Sequence, residues 1–262
     1  MNDWQVVENL NDIPLNDVQG VVADIDYTLV DFAPAHKAGI QALAKMFNPQ
    51  LAVKVDKLFH LILEGHRKPK HEVWAEREEF DQLMEQMKKI ETVDKEHDFK
   101  VWSREAWLII AAREQGLRLT TNSLALARDA YWQTVRKDSK LYLDAKEFTS
   151  ALSNQNIPLV LMTGSDSVLS LQETTGKLVY DPIFSETYKR QSLKQLPIRY
   201  SGLVIGDPAD KPHPKFFDKL ENELAKLKIN LKNTIFIGDS PLNDLTVPSE
   251  RGYKTYYINR NK

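Results

Sequence analysis

The side chains of this sequence that could do chemistry fall in four short clusters. The first is Asp24-Ile25-Asp26-Tyr27-Thr28, directly after the apolar run Gly20 to Ala23. Two carboxylates at i and i+2 where a strand runs out can face one cleft, one as nucleophile or metal ligand and the other as proton carrier. The competing reading is a strand that ends in a solvated turn. The second cluster is Thr163-Gly164-Ser165, after Ile157 to Met162. There a hydroxyl and the following backbone N–H groups can take an anionic oxygen, because glycine permits close approach. A helix N-cap at Ser165 or Asp166 is the alternative use. The third is Lys211, between Asp210 and the rigid Pro212-His213-Pro214. A compact positive charge held there can be aimed at a phosphate or at a carboxylate nucleophile, where an ordinary lysine would sit in solvent. The fourth is Gly238-Asp239-Ser240-Pro241-Leu242-Asn243-Asp244. Its two carboxylates suit a hard divalent cation such as Mg²⁺, which takes oxygen ligands and retains waters. Otherwise Asp244 caps the next helix.

These clusters need elements to position them. Residues 20–26, 157–164, 201–207, 234–239 and 253–258 are apolar runs of strand character, and helical pattern precedes two of them at 145–154 and 215–227. Strand alternating with helix predicts a mainly parallel sheet with helices on both faces. All four clusters lie at or just beyond strand C-termini, where open α/β sheets form their binding crevices. Between the first and second runs the chain has almost no strand character, far too long a stretch for a crossover helix. An inserted domain of four or five amphipathic helices is expected there, marked by Val55, Leu58, Phe59 and Ile62, by Phe80, Leu83, Met84 and Met87, and by Leu124, Ala127, Tyr131 and Val135. Pro34, residues 65–72, residues 93–98 and Thr120 to Asn122 supply its loops or helix starts. The expected division is a core of 1–32 and 141–262 and an all-helical domain of 33–140.

Composition narrows the function. A chain of 262 residues buries enough surface to need no metal or disulfide for stability. The absence of cysteine excludes a thiol nucleophile, a thiolate zinc site and an iron–sulfur cluster. Lysine and arginine number 35 against 37 aspartates and glutamates, so no bulk basicity recruits nucleic acid. The N-terminal residues lack a basic segment followed by a long apolar one, and no run approaches 18 apolar residues; a cytoplasmic protein without a membrane partner is expected. His60, His66 and His71 are spaced so that they do not stack on one helix face, against a transition-metal site. The basic run 66–71 reads as a solvated loop before it reads as an anion guide, and Trp74, Trp102, Trp107 and Trp132 read as core.

Together the four clusters resemble the haloacid dehalogenase-like (HAD) superfamily. Its pattern is Asp-x-Asp-x-Thr, a second motif ending in Ser or Thr, a lysine, and Gly-Asp-x-x-x-x-Asp, matched here over residues 18–34 and about 145–258. The insert matches the position of the family's C1 cap. The resemblance implies a Rossmann-like core and makes Asp24 a nucleophile that forms an aspartyl-phosphate, with Asp26 as general acid and base. It implies that Thr163, Gly164 and Lys211 hold the phosphoryl group. It assigns Mg²⁺ to Asp24, the Asp26 carbonyl and Asp239, with Asp244 bound directly or one shell out. Two departures are Tyr27, where many members have glycine, and an extended stretch over 176–210. The implied activity is Mg²⁺-dependent hydrolysis of a small soluble phosphorylated metabolite. The alternatives are a phosphotransferase or phosphomutase on the same core, or a non-catalytic binding module of the same fold. Dehalogenase chemistry is disfavoured, because it uses neither an acid at Asp26 nor a metal at Asp239.

Overall fold

The structure is a computed structural model and describes residues 4–68, 72–92, 99–207 and 209–260. Ten strands are assigned among these residues: β1 (Trp4–Val7), β2 (Gly20–Asp24), β3 (Val30–Asp31), β4 (Lys140–Leu141), β5 (Leu159–Thr163), β6 (Leu169–Gln172), β7 (Lys177–Tyr180), β8 (Gly202–Ile205), β9 (Thr234–Gly238) and β10 (Lys254–Ile258). The α-helices are α1 (Phe32–Ala44), α2 (Pro49–Arg67), α3 (Arg77–Lys88), α4 (Arg104–Glu114), α5 (Thr121–Asp138), α6 (Leu143–Asn154), α7 (Pro182–Leu193), α8 (Pro214–Lys226) and α9 (Thr246–Glu250). The expected loops at 69–71 and 93–98 lie outside the described residues. Among the described residues no helix is long and apolar enough to cross a membrane.

Six strands form one sheet in the order β1-β10-β9-β2-β5-β8, and every neighbouring pair is parallel. The central strands β2, β5 and β9 are buried along their whole length. They are therefore continuous apolar runs, since a strand covered on both faces has no solvent side to alternate with. The sequence gives no such sign for β1, an edge strand whose two middle residues are exposed. On one face α8 lays Phe216, Phe217, Leu220 and Leu224 against Val22, Val160, Met162, Val204 and Phe236. Each such side chain contributes roughly 1.5–3 kcal/mol on burial. Pro214 opens α8, and His213 Nδ1 accepts from Lys215 N at 3.1 Å. Because the strands are parallel, Asp24, Thr163 and the residue after Gly238 all emerge at one edge of the sheet.

The chain separates into two compact units, one of residues 1–33, 139–165 and 196–262 and the other of 34–138 and 166–195. The first holds the sheet. The second is built on α2, which is capped by Asn48 accepting from Leu51 N at 2.8 Å. Its interior includes Val55, Phe59, Ile62, Trp107, Tyr131 and Trp132, with the Arg104 guanidinium 4.3 Å from the Trp132 ring centre. Residues 166–195, which the sequence reading leaves in the core domain, belong instead to this second unit. They form the antiparallel hairpin β6–β7 and α7, so the unit is not wholly helical. Long-range bonds explain the assignment: Thr121 Oγ1 donates to Leu171 O at 2.8 Å, Leu178 N to Glu91 O at 2.9 Å and Tyr188 OH to Asp129 at 2.5 Å. The alternation in LSLQ and KLVY around Glu173 to Gly176 is the sequence signal for the hairpin, with Gly176 at φ +69°. Only its second strand, β7, falls within the stretch 176–210 that looks extended against the family pattern.

Candidate active site

Lys211 sits at the centre of the site. Its Nζ donates to Asp24 Oδ1 at 2.5 Å and to Asp244 Oδ1 at 2.7 Å. All three side chains are buried; that of Lys211 is 10% exposed. The loop before α8 aims it: Asp210 Oδ1 accepts from Lys211 N at 2.7 Å, and a Cβ on Gly206 would come within 2.5 Å of the Asp210 Cγ. Asp244 is held in a short π-helical turn, Pro241–Leu245, where its Oδ2 accepts from Ser240 N at 3.0 Å. Gly238 leaves the space for it, since a Cβ there would lie 2.6 Å from the Asp244 Cγ. Asp244 thus faces the cluster and is not simply a helix cap.

Asp239, half-buried, completes the group: one carboxylate oxygen each from Asp24, Asp239 and Asp244 lies within 4.8 Å of the others. Thr28 Oγ1 donates to Asp239 Oδ1 at 3.3 Å and so links the first cluster to the fourth. Asp26 stands two residues beyond Asp24, half-buried, with a bridge to Val30. The turn after it closes through Leu29 N and Val30 N, both donating to Ile25 O at 2.9 Å. Tyr27 adopts φ +65°, the left-handed conformation in which glycine would be unstrained. Thr163 is fully buried, one residue beyond Met162, which pairs with Asp24 across β2 and β5. No helix follows it, and the N-cap alternative at Ser165 or Asp166 is not realised; the chain runs through 164–168 to β6.

The charges suit a divalent cation. Two carboxylates hold one ammonium and a third lies beside them, and every candidate donor is a hard oxygen. Burial pushes the Asp24 carboxyl up to about 8; Lys211 opposes this, and the carboxylates of Asp244 and Asp239 reinforce it. An ionised Asp24, which the expected nucleophile role requires, therefore needs a cation beside it. Burial also works against the Lys211 charge, but Asp24 and Asp244 outweigh it and hold the ammonium above the usual lysine range. Among the described residues this is the one acidic or histidine cluster compact enough for a metal. His60 is exposed near Asp56, His66 Nδ1 lies 2.9 Å from Ile62 O, and His71 is outside the described residues.

This sheet order and these four strand-end clusters are those of one family: the chain belongs to the haloacid dehalogenase-like hydrolases, whose model matches residues 18–247. No curated protein matches the chain. Among solved structures it is similar to YfnB of Bacillus subtilis, a HAD-type protein bound to magnesium, at 14% identity over 92% of this chain and 89% of that one, with a TM-score of 0.55. An L-2-haloacid dehalogenase from Xanthobacter autotrophicus matches at 14% identity over 94% and 79%, TM-score 0.51. A Thermotoga maritima protein assigned as a β-phosphoglucomutase matches at 16% over 92% and 84%, TM-score 0.51. At these identities the likeness shows the fold alone.

Proposed function

We propose that the chain is a Mg²⁺-dependent phosphomonoester hydrolase acting on a small phosphorylated metabolite through an aspartyl-phosphate at Asp24. One observation carries the reading: a buried lysine ammonium bridges two carboxylates beside a third, at the edge where parallel strands end. The carbon–halogen centre that a dehalogenase attacks is neutral and needs no cation beside it, whereas a phosphate dianion needs one, which those three carboxylates would bind. Asp24, Asp239 and Asp244, with the Asp26 carbonyl, would hold it. When bound, it neutralises phosphoryl oxygen charge and aligns attack.

The chain's own groups do the rest. The Asp24 oxygen attacks phosphorus as the ester P–O bond breaks, and Asp26 delivers a proton to the departing oxygen. Lys211, Thr163 and the Gly164 N–H hold the phosphoryl oxygens in place. Asp26 then takes a proton from water, whose oxygen attacks phosphorus; inorganic phosphate leaves and Asp24 is regenerated. We assign the choice of leaving group to the second unit. The chain passes between the units at 33/34 and 165/166, just after the first and second clusters, and again at 138/139 and 195/196.

The test is phosphate release from a panel of phosphate esters with Mg²⁺ or with EDTA, run beside halide release from 2-chloropropionate. Mg²⁺-dependent phosphate release supports the proposal. Halide release without metal, or phosphoryl transfer to an added sugar in place of water, would replace it.

A further inference from the structure

We infer that Arg260 is a positioning residue, a clamp on the turn that carries Asp26 and Thr28; the inference rests on the hydrolase reading for its consequence in turnover. Arg260 lies just beyond β10, whose neighbour β9 ends at Gly238, one residue before Asp239. Its Nη1 donates to both oxygens of Asp144, at 2.9 and 2.8 Å, and its Nη2 to the carbonyl of Thr28 at 2.8 Å. The guanidinium carbon is 4.1 Å from the Tyr142 ring centre. Asp144 is itself fixed, accepting from Leu10 N and from Ala145 N at 2.9 Å each. The backbone beside Tyr142 adds a second tie, Tyr142 N donating to Leu29 O at 3.0 Å.

The clamp has something to hold. Tyr27 occupies a left-handed conformation without being glycine, and such strain persists only where the surroundings over-determine it. Thr28, whose carbonyl Arg260 grips, is the residue whose hydroxyl reaches Asp239. Arg260 therefore sets, through one residue, both the placement of Asp26 and the orientation of a carboxylate that would bind the cation. A rigid fork with several donors is required, because a lysine's single ammonium is not shaped to hold Asp144 and Thr28 at once. Nothing in Tyr257-Ile258-Asn259-Arg260 marks this role in the sequence.

The experiment compares the wild-type chain with Arg260→Gln and Arg260→Lys. It reads hydrogen exchange at Leu29 and Val30, Mn²⁺ affinity by EPR, and kcat and KM on p-nitrophenyl phosphate. Arg260→Gln should speed exchange at those two amides about 10-fold or more while β5 and β9 stay protected. Mn²⁺ affinity should fall about 10-fold, the usual cost of losing an outer support of a ligand. The value of kcat should fall about 10- to 100-fold with KM little changed. Arg260→Lys should behave like Arg260→Gln, and added guanidinium ion should restore part of the loss in Arg260→Gln. Should Arg260→Gln fail to fold, Asp144→Asn, which loosens the same fork, carries the comparison in the same direction. Unchanged turn exchange and Mn²⁺ affinity, or faster exchange spread evenly over the sheet, would overturn the inference. If exchange and Mn²⁺ affinity shift while the wild type releases no phosphate, the clamp stands and the hydrolase reading falls.

Discussion

Mg²⁺ should expel a proton from Asp24 on binding. In the cation-free protein burial pushes this carboxyl up to about 8 from an ordinary 3.8, so at pH 7 roughly 0.9 of the molecules carry the proton. A cation beside the carboxylate favours the charged form and displaces it. Binding at pH 7 should therefore release about 0.9 of a proton, falling to about 0.1 at pH 9. Stability follows the same balance. Between pH 5 and 7 the folded Asp24 holds a proton that the unfolded chain does not, so the Asp24 contribution to the stability of the cation-free protein falls as pH rises, until Asp24 has itself ionised; buried His36, lowered to about 4, contributes in the opposite sense over the same range. The Asp24 contribution to the slope near pH 7, read as the difference between the wild type and Asp24→Asn, is about 1.2 kcal/mol per unit, and saturating Mg²⁺ should flatten it. Calorimetric titration with Mg²⁺ in buffers of differing ionisation heat counts the protons, and denaturant melts at several pH values give the slope. Asp24→Asn should show neither effect. No proton release at pH 7 in the wild type, or release that persists in Asp24→Asn, would refute the electrostatic reasoning.

Three further outcomes are expected. Asp24→Asn should fold normally and retain less than about a thousandth of wild-type phosphate release, since an amide of the same shape cannot attack phosphorus; greater residual turnover would remove Asp24 as nucleophile. Asp26→Asn should be severe with alkyl phosphates but mild in the pre-steady-state burst with p-nitrophenyl phosphate, whose leaving group needs little protonation; equal losses on both would count against Asp26 as the acid. Gly238→Ala should cost about 1–3 kcal/mol of stability and weaken Mg²⁺ binding, because the new methyl collides with the Asp244 side chain; a wild-type melting temperature and metal affinity would mean that the fourth-cluster turn is free to move.

What the sequence determined by itself was local. The buried strands β2, β5 and β9 are legible because a strand covered on both faces has to be a short apolar run, and the clusters at their ends are legible because each spans only a few residues. The tertiary structure decided what lies far apart along the chain. Lys211 meets Asp24 across 187 positions and Asp244 across 33, and no local spacing says that one ammonium will serve both. β1 is half-exposed and takes its pairing from β10 at the other end of the chain, so its own residues carry little signal. Residues 166–195 join the second unit through bonds to Thr121, Glu91 and Asp129, where sequence order alone put them with the core. Arg260 reaches Asp144 across 116 positions and Thr28 across 232. Residue pattern records the burial and chain direction of each segment, but the partner of a charged side chain is fixed only when distant strand ends are brought to one edge of the sheet.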